Sequence, residues 1–117
     1  MTETSVDNSF GLLMDALSRL DEKKLSFDDM LLSHEIFEEL DIEAHSFLHE
    51  WTIDRLIENK RIPGSVRGRI LQLRAGIQTT MKDKHTIEFY RLNPDWKKLR
   101  DEANAIVEEI KTAANKS

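Results

Sequence analysis

The sequence predicts an all-α fold: a single-domain bundle of about five helices, with a long C-terminal helix from Asn93 to about Ala114. Three observations lead there. Large apolar residues recur at three- and four-residue spacing through most of the chain, the pattern of one buried helical face. Only one short segment has strand propensity, and an isolated strand has nothing to pair with. Four Gly and two Pro in 117 residues, with 33% charged and 39% hydrophobic residues, fit a folded helical chain better than a disordered or β-rich one. No repeat, low-complexity tract or Gly/Ser linker divides residues 1–117. One domain is therefore expected, with residues 1–7 as a flexible N-terminus.

Taken in order, the first helix is expected from an Asn8 or Ser9 cap to about Lys24, with Phe10, Leu13, Met14, Leu17 and Leu20 on one face. A second start signal stands at Ser26 or Asp28, with acids in the first turn where the helix dipole favours them. From there Met30, Phe37, Leu40, Ala44, Phe47 and Trp51 keep a helical phase. One helix from Asp28 to Lys60 is improbably long for a small domain without a coiled-coil pattern. A break is placed near Leu40 to Glu43, with Asp41 as a new cap, and Phe47, Leu48, Trp51, Leu56 and Ile57 line the next helix.

Ile62-Pro63-Gly64-Ser65 is the strongest punctuation in the chain. After it Ser65 is expected to cap a helix with the stripe Val66, Ile70, Leu73, Ile77 and Met81 and a basic opposite side. In that helix Gly68 and Gly76 each cost about 1 kcal/mol against Ala unless a neighbour packs closely there. Lys84 to Leu92 reads as a connection or short extended segment in which Ile87 and Phe89 plug the bundle. Asn93-Pro94-Asp95 supplies a cap, a proline at the first helical position and an acid in the first turn. Trp96, Leu99, Ala103, Ile106, Ile110 and Ala113 follow on one face.

Charge is unevenly spread. The net charge is −5, yet residues 1–59 carry 15 acids against 4 bases and residues 60–117 carry 7 acids against 13 bases. Ser26 to Glu58 concentrates ten carboxylates against the single base Arg55. That segment must bury one side and present water with a dense negative field on the other. The absence of cysteine excludes disulfides, a thiol nucleophile and thiolate metal ligation. Met1 to Asn8 lacks the basic and apolar regions of a secretory leader, and no apolar run approaches the roughly 20 residues that span a bilayer. A cytoplasmic protein without membrane contact is expected.

The chemistry-bearing patterns are thin. His34, Glu38, Asp41, His45 and His49 would form a ligand stripe on one unbroken helix, but no HExxH or paired Glu-x-x-His motif is present and a break near Asp41 divides the stripe. A metal-binding helical protein is the third reading, and no metal ligand or cofactor is assigned. No GxSxG elbow or Walker pattern occurs. A solvated face of ten acids also gives no carboxylate the desolvation that acid–base catalysis needs. No enzymatic activity and no small-molecule substrate are therefore expected. The runner-up is a regulatory or nucleic-acid-binding protein using Arg67, Arg69 and Arg74 on the helix after Pro63-Gly64. The acidity of the chain as a whole disfavours a polyanionic partner.

The leading reading is a non-enzymatic protein-binding module whose acidic helical face (Asp28, Asp29, Glu35, Glu38, Glu39, Asp41, Glu43 and Glu50) meets a basic groove, steering association by charge around a central apolar anchor. The plainer alternative is that an acidic face keeps a small protein in solution. Ile70 to Arg74 (ILQLR) and His85 to Ile110 (HTIEFYRLNPDWKKLRDEANAIVEEI) resemble the C-terminal part of small helical bacterial immunity proteins that neutralise polymorphic or contact-dependent toxins. Leu73-Arg74, Thr86-Ile87-Glu88, Tyr90-Arg91 and Trp96 through Ile106 carry the resemblance. It implies a cognate protein toxin as partner and gives the concrete version of the reading: an inhibitor that blocks a basic, nuclease-type toxin. It carries over no binding residue and no oligomeric state.

Overall fold

A computed structural model describes residues 2–40, 42, 49–83 and 86–116. Its α-helices are α1 (Thr2–Ser18), α2 (Asp29–Ser33), α3 (Glu50–Glu58), α4 (Arg67–Asp83), α5 (Ile87–Leu92) and α6 (Pro94–Lys116). A 3-10 turn over Glu22–Ser26 leads into α2, a π-helical stretch over His34–Leu40 continues it, and a 3-10 turn over Gly64–Val66 opens α4. No strand occurs among the described residues, and none of the helices there is long and apolar enough to cross a membrane. The radius of gyration is 14.1 Å, close to the roughly 13 Å expected of a folded chain of this length. The all-α bundle and its long C-terminal helix are thus as the spacing predicts.

The last helix is central, packing against α1, α4 and α5, while α3 packs against α1 and α4. Its start follows from local chemistry: Asn93 Oδ1 accepts from the backbone N–H groups of Asp95 (2.8 Å) and Trp96 (3.3 Å) ahead of Pro94. Trp96, Ala103, Ile106 and Ile110 are buried against Leu13, Leu17, Ile70, Leu73 and Ile77 from α1 and α4. Gly76 permits the close approach of α4 to α6, since a Cβ there would lie 2.7 Å from Leu99 Cδ2, whereas Gly68 has open space around it. Gly68→Ala should therefore raise stability by about 0.5–1 kcal/mol in urea denaturation, the helix-propensity gain, while Gly76→Ala gives part of that gain back to the Leu99 contact.

Several expectations are corrected. The first helix begins at Thr2, well before Asn8, so residues 2–7 are helical; buried Val6 extends the apolar face of Phe10, Leu13 and Leu17 back by one turn. Asp28 does cap α2, its Oδ1 accepting from Leu31 N–H at 2.8 Å. The buried face there is Leu32, Ile36 and Leu40, however, and Met30 is 85% exposed. Of the expected break at Leu40 to Glu43, Leu40 ends the π-helical stretch and Ile42 is helical, while Asp41, the expected cap, and Glu43 lie outside the described residues, as do Ala44, Phe47 and Leu48. The start of α3 is set by His49, in extended backbone, whose Nδ1 accepts from Trp51 N–H at 3.1 Å. Among the described residues, Asp28 to Lys60 holds α2 with its π-helical continuation to Leu40, and α3 from Glu50.

At the end of α3, Lys60 adopts a left-handed φ of 62°, with its N–H on the Ile57 carbonyl and that of Arg61 on the Leu56 carbonyl. This is a Schellman closure with lysine in the position glycine usually takes. Ser65 is not the cap of α4. Pro63 holds the capping position, and the Ser65 hydroxyl bonds Glu109 on α6 instead.

The segment read as extended is helix α5. Thr86 Oγ1 caps it by accepting from Phe89 N–H, and Tyr90, not Phe89, is the buried plug. Tyr90 sits edge-on to Trp96, ring centroids 5.0 Å apart, and Trp96 is edge-on to Phe37 at 6.4 Å. Arg100 is buried beside them, its Nη1 donating to the Tyr90 carbonyl at 2.5 Å and its guanidinium 5.0 Å from the Tyr90 ring centroid.

The Tyr90 hydroxyl itself is buried without a hydrogen-bond partner. Burial pushes its phenol up to about 12 from 10.0, against the opposing pull of Arg100. The unfolded chain thus ionises first, so stability present below pH 10 is lost as pH rises towards 12. Tyr90→Phe should remove that alkaline sensitivity and raise stability by about 1 kcal/mol, by eliminating an unsatisfied buried group; urea denaturation at pH 7 and pH 11 checks both.

Candidate interaction surface

The acids expected to form a face are held in different ways. Asp28 is exposed and serves as the α2 cap. Asp29 is exposed but meets Arg91 of α5 at 3.0 Å. Glu35 is half-buried and pairs with Arg19 and, at 3.6 Å, with Lys24. The π-helical turn sets Glu38 and Glu39 on either side of His34, at 2.8 Å from Nδ1 and 3.3 Å from Nε2. Only the doubly protonated ring donates to both. Glu39 also approaches Arg19 at 3.9 Å. Glu50 pairs with Arg67 Nη2 at 2.8 Å. Asp41 and Glu43 lie outside the described residues.

The basic side of α4 is occupied by its own chain. Arg67 Nε bonds Asp54 at 2.6 Å while its Nη2 reaches Glu50, so one guanidinium ties α3 to the start of α4. The hydrogen bond from Arg67 holds the Asp54 carboxyl below the usual carboxylate range. Arg69 is clamped between Glu102 (2.7 Å) and Glu109 (2.5 Å) of α6. Glu109 titrates low as well, through its bonds from Ser65 and then Arg69. Arg74 is half-buried and is itself engaged. To hold phosphates, Arg67 and Arg69 would first have to leave these carboxylates.

The described members of the ligand stripe are divided between separate elements. His34 and Glu38 share one helical stretch, His49 is a backbone cap on another, and Asp41 and His45 lie outside the described residues. Among the described residues no group of three His, Asp or Glu converges on a metal-sized point.

The acid-rich segments also expose large apolar side chains. Met30 (85%), Leu31 (45%), Ile42 (65%) and Trp51 (65%) stand in solvent beside Asp28, Asp29 and Glu50, and Arg55 stacks over the Trp51 ring at 5.0 Å. Met30 and Trp51 were expected inside the apolar stripe. The signal for Met30 was its phase, since Leu32, Ile36 and Leu40 form a separate i, i+4, i+8 row that the core buries. No protein-family model, no curated protein and no solved structure matches this chain.

Proposed function

We propose that this protein is a non-enzymatic protein-binding module that meets a basic partner through the acidic, apolar-studded surface of α2, its π-helical continuation and α3. Met30, Leu31, Ile42 and Trp51, large apolar groups exposed among carboxylates, are the observation that carries the reading. Binding surfaces are built this way: aromatic and aliphatic anchors supply affinity when desolvated, and the charged rim supplies rate and selectivity. Its most concrete form is an immunity-type inhibitor that occludes a nuclease-type toxin, using Asp28, Asp29, Glu35, Glu38, Glu39, Asp41, Glu43 and Glu50 as phosphate-like acids. Glu38 and Asp28 are the best placed of the described ones, since Asp29, Glu35, Glu39 and Glu50 already hold arginines of the chain. The engagement of Arg67 and Arg69 by four carboxylates weighs against the nucleic-acid reading.

The test is affinity capture from native host cells with wild-type protein and with a Glu38→Lys, Trp51→Ala variant. Both residues are exposed, so the melting temperature should stay near wild type. Binding of the captured basic protein should weaken at least tenfold, with a salt-sensitive loss of association rate. Equal binding by both proteins rejects the assignment. Measurable affinity for nucleic acid in filter binding, falling with salt, would favour the runner-up.

A further inference from the structure

We infer that a second contact lies on α5: an open hollow that takes a large apolar side chain flanked by lysine or arginine on a partner segment. The inference rests on the protein-binding reading and adds an anchor to it. Phe89 (48% exposed) and Leu92 (77% exposed) lie at i and i+3 on α5. With Thr86, Glu88, Asn93 and Pro94 they line a hollow of about 640 Å³. A helix of six residues that shows Phe89 and Leu92 to water while Tyr90 and Ile87 pack inward is apolar on both sides, and exposed apolar patches of this kind mark contacts.

Its floor is fixed. Arg91 donates to the carbonyls of Leu25 (2.6 Å) and Phe27 (2.7 Å) and meets Asp29 at 3.0 Å, so α5 is tied to the start of α2. Met30 and Leu92, next in sequence to the paired Asp29 and Arg91, therefore stand on adjoining elements.

Charge selects the occupant. Asp28, Glu88 and Asp95 are exposed carboxylates at this end of the bundle, beside the Asp29–Arg91 pair. Arg91 is committed to the tie, and Lys97 pairs with Asp101 at 3.0 Å, which leaves Lys98 as the one nearby base on the first turns of α6 outside the pairs described here. An apolar hollow in a net negative rim attracts a basic, apolar segment. A second copy of this chain would set acid against acid, and an anionic lipid surface or nucleic acid would meet the same repulsion.

The probe is a synthetic amphipathic peptide of Leu and Lys, with a Leu and Glu peptide as control, titrated into isotopically labelled full-length protein and followed by amide NMR shifts. The Leu/Lys peptide should shift the amides of Thr86 to Leu92 and of Met30, and the Leu/Glu peptide should not. Leu92→Asp should weaken binding at least tenfold, and Glu88→Lys should weaken it several-fold and flatten its salt dependence. Both side chains are exposed, and unchanged circular dichroism confirms that the variants fold. The inference is overturned by no binding of the Leu/Lys peptide, by equal binding of both peptides, or by concentration-dependent self-association abolished by Leu92→Asp. Shifts confined to the surroundings of Trp51 and Glu38 also overturn it while leaving the protein-binding reading standing, whereas loss of that reading in the capture experiment leaves the α5 shifts to be judged by themselves.

Discussion

Trp96→Ala is expected to lower the unfolding free energy by about 3–5 kcal/mol, the range for deleting a large buried aromatic. Trp96 is fully buried and touches three elements at once: it lies edge-on to Tyr90 of α5 and to Phe37 of the π-helical stretch while forming the first turn of the central α6. Little can collapse into the space it leaves, because Tyr90 is held by its own burial and Arg100 is bonded to the Tyr90 carbonyl. A domain of this size holds roughly 5–15 kcal/mol in total, so the variant sits near the edge of folding. Urea denaturation followed by circular dichroism checks it. A loss under about 1 kcal/mol would mean that the aromatic cluster repacks freely.

Arg91→Ala is expected to cost about 2–3 kcal/mol and to loosen α5 before the rest of the bundle. The guanidinium satisfies two carbonyls in the turn after α1 and the Asp29 carboxylate from a single planar fork. Its removal strands the Leu25 and Phe27 carbonyls, both in half-buried residues, and bonds from charged donors to such groups are worth more than neutral ones. Arg91→Lys should restore little, since an ammonium lacks the fork that spans these acceptors. Amide hydrogen exchange resolves the effect by site. Protection across Ile87 to Leu92 should fall ahead of that in α4 and α6, and uniform loss over the chain would reject a local role for the tie.

The two predictions fall on parts of the chain that the sequence revealed unequally. The start of the last helix was legible to the residue because Asn93, Pro94 and the apolar row act within a few positions of each other. The same row also held a sign of the buried arginine: Arg100 lies four residues after Trp96 and three before Ala103, in phase with the core. Helix α5 was missed because Thr, Ile, Phe and Tyr favour strands in general. Its Thr86 cap, Glu88 in the first turn and the i, i+3 pair Ile87 and Tyr90 all spelled a helix, and packing against Trp96 decided for them. For the candidate surface, the carboxylates were evident as a cluster, but their partners were not. Arg91 reaches Asp29 across 62 positions and Arg69 reaches Glu109 across 40, and no local pattern encodes such pairs.

Those pairings bear on how the chain finds its fold. Arg67 meets Asp54 across only 13 positions, and Arg19 meets Glu35 across 16, so each closes a short loop at small entropic cost. The longer ties then join an acidic half to a basic half, and in the unfolded ensemble the two halves attract each other before any specific contact exists. Added salt screens that attraction, swelling the ensemble and slowing the search, even though exposed ion pairs contribute little to the finished structure. The uneven charge of this chain is therefore a kinetic property as well as a surface.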